Sequence, residues 1–168
     1  ETKSVRTFTD TNATILGNYL ASNSATAVFP TGVLTIGGSF DNNATFDANN
    51  GTVRFNSTAG AETIAAGTSS SFATLEFNSA GGDFTVIENA TATVAINLTS
   101  ASAYTLQSGL TLAALGTFTN AANASSTTWT GSTLSLSGAD GAINTKNHGG
   151  DAYGTILTNG DTDMVMWN

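Results

Sequence analysis

The one histidine of the chain, His148, lies in Asn147-His148-Gly149-Gly150-Asp151. With Asp151 and a nearby serine it could form a hydrolytic triad. Such a triad needs its base held rigidly by a third group, and a Gly-Gly loop is a poor holder. A polar turn is the better reading, and no catalytic residue is assigned. Carboxylates spaced as in calcium loops occur at Asp161-Thr162-Asp163, Asp47-Ala48-Asn49-Asn50-Gly51 and Asp10-Thr11-Asn12. Calcium takes about six to eight oxygen ligands. None of these stretches is a full loop closed by a bidentate Glu, so turn chemistry is expected and calcium is the lesser alternative. Glycoside cleavage would need Glu76, Glu88 or Asp83 to share one cleft with a second carboxyl group about 5–10 Å away. With no cysteine in the chain, disulfides, thiolate metal sites and thiol nucleophiles are excluded. No cofactor is expected.

Seven Asn-X-Ser/Thr sequons make Asn12, Asn43, Asn50, Asn56, Asn89, Asn97 and Asn123 candidate glycosylation sites. A chain this rich in Ser and Thr gives several of them by chance. Thr-X-Thr triplets occur at Thr7-Phe8-Thr9, Thr91-Ala92-Thr93 and Thr117-Phe118-Thr119. Flat threonine arrays can order water against ice, but these triplets are irregularly spaced and two of them bracket a Phe.

Such residues must sit on elements that the composition can build. Thr supplies 30 of the 168 positions, Ser and Asn 17 each, and Gly 18. Long straight-chain residues, the good helix formers, are nearly absent. Thr suits strands, and Asn and Gly suit tight turns. Charged residues make up 10% and the net charge is −8. The four basic residues (Lys3, Arg6, Arg54, Lys146) are scattered, which disfavours nucleic acid and anionic membrane partners. No apolar run approaches the roughly 20 residues of a membrane helix, so membrane insertion is not expected. Residues 1–10 hold no signal-peptide core, and this start reads as a mature terminus or as a cut from a longer chain. The acidic, Lys-poor, Thr/Asn/Gly-rich composition points to an extracellular or cell-surface location.

The chain nearly repeats itself at an offset of about 78 residues, a self-similarity that marks repeat architectures. Gly32-Val33-Leu34-Thr35-Ile36 through Phe40 matches Gly109-Leu110-Thr111-Leu112 through Phe118, and Ser71–Asn78 matches Asp151–Asn159. This reads as one continuous repeat domain over 1–168. Residues 1–31 end one repeat phase, 32–108 form repeat one, and 109–168 form an incomplete repeat two. Within each period, alternating runs recur between turn signals, as strands require. Val53 and Phe55 share a face, as do Leu75 with Phe77, Tyr104 with Leu106, and Leu134 with Leu136. Val94, Ile96 and Leu98 read as another buried face. No window has a helical period. The fold expected is all-β, a right-handed β-helix-like solenoid whose period coils into about three rungs of roughly 20–26 residues. The alternative is a tandem β-sandwich.

Gly51-Thr52-Val53-Arg54-Phe55-Asn56 with Thr63-Ile64, Phe72 to Asn78, Ile143 to Thr155 and Asp163 to Asn168 carry a resemblance. They are similar to the repeats of very large, low-complexity Thr/Asn/Gly-rich proteins of bacterial cell surfaces. The resemblance covers about residues 32–168. It implies a secreted repeat array and supplies no active site.

Open solenoid ends are rows of unpaired backbone groups. Residues 2–12 read as a strand in which Val5, Thr7 and Thr9 alternate with Arg6, Phe8 and Asp10. At the other end lies the apolar strand Met164-Val165-Met166-Trp167. Val5, Thr7 and Phe8 of one copy against Met164, Val165, Met166 and Trp167 of another would join copies head to tail by strand addition. The function expected is thus a structural or adhesive surface protein, not an enzyme. Its expected partners are copies of itself, with surface glycans as a further candidate. A carbohydrate- or ice-binding module is the alternative.

Overall fold

The computed structural model describes residues 5–58, 60–79, 81–122, 126–138, 143–145 and 151–159, with the backbone alone for 23–25 and 143–145. Among these residues there is no helix, and every strand pairing is parallel. The strands are β1 (Val5–Thr7), β2 (Ala13–Ile15), β3 (Tyr19–Val28), β4 (Val33–Ile36), β5 (Phe40–Asp47), β6 (Thr52–Phe55), β7 (Ala61–Ala65), β8 (Phe72–Asn78) and β9 (Asp83–Val86). They continue as β10 (Ala90–Ser100), β11 (Ala103–Leu106), β12 (Thr111–Ala114), β13 (Thr117–Asn120), β14 (Thr127–Thr128), β15 (Thr133–Leu136), β16 (Ile143–Thr145) and β17 (Thr155–Thr158).

One sheet has the order β1-β3-β5-β7-β9-β11-β14. The other runs β17-β15-β12-β10-β8-β6-β4-β2, with β13 on β10 and β16 on β13. Up to β12, successive strands alternate between the sheets and each pairs with the strand one turn later. That connectivity is a β-solenoid of about six turns, with repeats about 22 residues apart. A tandem sandwich is excluded, because its sheets are antiparallel.

The long strands bend, so each turn feeds three ladders. Residues 90–92 of β10 pair with β12, whereas 95–98 pair with β13. Tyr19 to Ser22 of β3 pair with the start of β5, and Thr26 to Val28 with its end. Inward positions stack along each ladder. Leu34, Val53, Leu75, Ile96 and Phe118 form one column. Ile15, Ile36, Phe55, Phe77 and Leu98 form a second, which turns polar at Asn120. Phe40, Ile64, Val86 and Leu106 form a third. Burying such a side chain contributes about 1.5–3 kcal/mol. Ring contacts link the core from Phe8 to Tyr104, passing through Phe29, Phe40, Phe55 and Phe77.

The turn, about 22 residues long, is the unit that the hydrogen bonding repeats. The longer sequence period spans several such turns and not a whole number of them. Leu34 and Leu112, one sequence period apart, both lie in the ten-stranded sheet. Phe40 and Phe118, also one period apart, lie in different sheets.

Two details differ from the sequence reading. Val94 does not share the buried face of Ile96 and Leu98; it is 53% exposed. The β8–β10 register shifts between Ala92 and Ala95, so β10 turns a corner there and Ala95 and Ile96 are both buried. The first strand ends at Thr7 rather than running to residue 12, because Phe8 turns in against Phe29 with ring centroids 6.1 Å apart. One ladder is also interrupted. Thr45 to Asp47 pair backward with Thr26 to Val28, but in the next turn no strand lies between β7 and β8. Ser70 Oγ accepts the Phe46 N–H at 2.8 Å in place of a backbone carbonyl. Pairing resumes where Phe72 meets Ala92.

Corners are close-packed. A Cβ on Gly116 would collide with the backbone carbonyl of Val94, and one on Gly138 with that of Leu115. Asparagines tie one corner to the next. Asn12 Oδ1 accepts the Val33 N–H at 2.8 Å, Asn18 Oδ1 the Ser39 N–H at 2.9 Å and Asn89 Oδ1 the Thr111 N–H at 2.7 Å. The Asn49-Asn50 corner has both residues at positive φ, 49° and 58°, a conformation that Asn tolerates.

Candidate functional site

Among the described residues, β1 pairs only with β3, in the register Val5↔Thr26, Arg6↔Ala27 and Thr7↔Val28. β2 likewise pairs only with β4. These are the edges of the two sheets at one end of the coil. Val5 is 63% exposed and Leu20 68%. Beside them opens a cleft of about 450 Å³ whose walls include Arg6, Phe8, Tyr19, Leu20, Ser22 and Thr26. Tyr19 stacks on Phe40 with ring centroids 4.7 Å apart, and its burial raises the phenol pKa. The arrangement offers backbone donors and acceptors beside an apolar shelf. An edge of this kind can accept an added strand.

The residues expected to self-associate divide between places. Val5 and Thr7 are exposed on the edge. Phe8 is anchored instead: its N–H donates to the Val28 carbonyl at 3.0 Å and its ring meets Phe29. Met164, Val165, Met166 and Trp167 lie outside the described residues, as do His148, Asp161, Asp163, Lys3, Lys146 and the sequon Asn123.

Toward the other end of the coil lies a polar knot. The buried Asn120 donates from Nδ2 to Tyr153 Oη at 2.6 Å and to Asp151 Oδ2 at 3.2 Å. Asp151 Oδ1 accepts the Thr127 N–H at 3.0 Å. Burial pushes the Tyr153 phenol up to about 12; the Asp151 charge adds to the rise, and hydrogen bonds with Asn120 and Thr127 oppose it. Trp129 Nε1 donates to the Tyr104 carbonyl at 3.1 Å and its ring packs on Tyr153. This knot was invisible to sequence reasoning, since 31 residues separate Asn120 from Asp151.

Other candidates scatter. Glu76 sits on the ten-stranded sheet in an ion pair with Arg54 at 3.0 Å. Asp83 lies on the seven-stranded sheet, and Glu88 accepts the Gly67 N–H at 2.7 Å. Asp47 Oδ1 accepts the Asn49 N–H at 2.8 Å, an Asx turn. No group of three or more His, Cys, Asp or Glu positioned to hold a metal occurs among the described residues. Of the sequons, Asn12, Asn43, Asn50, Asn56 and Asn89 are exposed or half-buried at corners and strand surfaces, and Asn97 is half-buried. Asn12 and Asn89 also hold corners through their Oδ1 atoms, and Asn43 donates to Asp41 at 2.8 Å.

Threonines do align, though not through the Thr-X-Thr triplets. Thr63, Thr85, Thr105 and Thr128 are register partners in consecutive turns. Thr111, Thr133 and Thr155 form a second column. The recurrence of threonine one turn further along the chain was the signal that could have found them. No protein-family model matches the chain, and no curated protein or solved structure matches it.

Proposed function

We propose that this chain is a non-catalytic structural and adhesive module of a bacterial cell surface, associating with copies of itself head to tail. The observation that carries the reading is the edge at β1, where exposed Val5 and Leu20 border a cleft walled by Phe8 and Tyr19. An exposed edge strand, with its unpaired backbone N–H and C=O groups, is a template for another strand. A coil whose turns all pair in parallel would accept such a strand without a change in its geometry. The acidic, cysteine-free, Lys-poor composition and the resemblance to surface repeat proteins support a place outside the cell.

The test compares the protein with Val5→Lys/Leu20→Lys by sedimentation velocity and negative-stain microscopy. Concentration-dependent fibres from the original chain, lost in the variant with circular dichroism unchanged, are expected. A monomer at every concentration, or fibres of equal length from the variant, overturns the reading.

A second reading, ice binding, is favoured by the column Thr63–Thr85–Thr105–Thr128. Adjacent strands place such hydroxyls about 4.8 Å apart. Thermal hysteresis that falls on Thr85→Leu would support it, and none from the original chain would remove it.

A further inference from the structure

The interrupted ladder leaves a notch in the side of the coil, on the ladder that begins at β1 but beyond β5, where Asp47 follows Val28 and Thr7 in register. Thr45 to Asp47 have strand partners in the preceding turn only, and residues 66–71 pass them without forming a strand. The gap is an open cleft of about 320 Å³, at the lower end of the size range of small-ligand sites. Its floor includes the buried residues Phe46, Ala48 and Ala73. Its rim carries Asp47, Asn49, Asn50, Ser69, Ser71 and Thr93.

The rim chemistry selects among ligands. No Lys, Arg or His lines the notch, so nothing there compensates an anion. A single carboxylate, Asp47, is too few hard ligands for a calcium ion. What remains is a set of neutral donors and acceptors around one carboxylate, with a small apolar floor. Asp47 uses Oδ1 to hold Asn49. Its Oδ2 and the side chains of Asn50, Ser69 and Ser71 have no hydrogen-bond partner among the described residues. A carboxylate oxygen accepts strongly from a hydroxyl, and an amide both donates and accepts. Together they match the adjacent hydroxyls of a pyranose.

We infer that this notch is a binding site for a neutral saccharide, reading hydroxyls with Asp47, Asn50 and the Ser69–Ser71 segment. The inference is independent of self-association at β1, and the Val5→Lys/Leu20→Lys variant should bind the saccharide as the original chain does.

The experiment is an amide chemical-shift titration with three neutral probes: cellotetraose, maltotetraose and tetra-N-acetylchitotetraose. The protein is made in a host that adds no glycans. Saturable shifts confined to Asp47–Gly51, Ser69–Ser71 and Thr93 are expected for at least one probe. Asp47→Asn retains an acceptor for the Asn49 N–H and should weaken binding about tenfold, the effect of losing one charge-assisted hydrogen bond. Asn50→Gly keeps the positive φ and removes the side chain, and should weaken binding several-fold with the melting temperature unchanged. No saturable shift with any probe at millimolar concentration overturns the proposal. So do shifts mapping elsewhere, or unchanged affinity in the Asp47→Asn/Asn50→Gly double variant.

Discussion

Two kinds of side chain illustrate how the interior treats polar and apolar groups differently. Phe77 is 2% exposed, with Phe55 5.4 Å and Phe84 5.3 Å from its ring centroid. Stacked neighbours above and below cannot collapse into the space it fills. Phe77→Ala should cost about 3–5 kcal/mol, read by denaturant unfolding. Tyr104 and Tyr153 are phenols held neutral by burial. Their ordinary pKa is 10.0; burial raises both, that of Tyr153 to about 12. The folded chain therefore keeps these protons after the unfolded chain has lost them. The Tyr153 contribution to stability is complete below pH 10 and is lost as the pH climbs from about 10 to about 12, while the loss for Tyr104 begins at the same point and runs higher. Base titration should show tyrosinate absorbance rising together with loss of the β-sheet circular dichroism signal. Tyrosinate forming fully near pH 10 in an intact fold would contradict this. The inward position of Tyr104 was legible from its alternation with Leu106. The role of Tyr153 was not, since its partners Asn120 and Thr127 belong to other turns.

At the scale of elements, alternation served well wherever a strand was straight. Val53 with Phe55 and Leu134 with Leu136 point inward as their spacing of two requires. It failed where a strand turned a corner, since period-two logic has no place for a bend: Val94 went outward and Ala95 inward. The corners themselves were legible as places for small residues, though not which backbone they touch. Gly116→Ala would press a methyl group into the Val94 carbonyl of the preceding turn. Because the obstacle is backbone, the expected loss is about 1–3 kcal/mol, measured as a lowered unfolding midpoint. An unchanged midpoint would mean that the corner gives way. The gap between β7 and β8 had no sequence signature, because Thr68-Ser69-Ser70-Ser71 is as suited to a strand edge as to a loop.

For the whole molecule, each turn touches chiefly the turns before and after it, so stability is close to a sum of local terms. Native-state hydrogen exchange should be slowest in β6, β8 and β10 and fastest in β1 and β17. Uniform protection across all turns would show that the coil opens as one unit. The solenoid class was legible because small residues, short strands and tight turns all favoured it. The expected rung of roughly 20–26 residues also brackets the observed turn of about 22; how many turns fill one long-range period was less legible. Space-neighbours such as Thr63 and Thr85 carry the true period, yet the spacing drifts from one turn to the next as corners lengthen or shorten. That drift blurs the turn beneath the more obvious long-range match between Gly32–Phe40 and Gly109–Phe118.

Because the backbone hydrogen bonds run from turn to turn, a pull along the coil axis loads them one rung at a time, like a zipper and not like a shear joint. Each turn of about 22 residues then yields about 75 Å of extended chain for about 5 Å of rung height surrendered. Such a coil should lengthen many-fold under tension turn by turn, an outcome that single-molecule force extension checks.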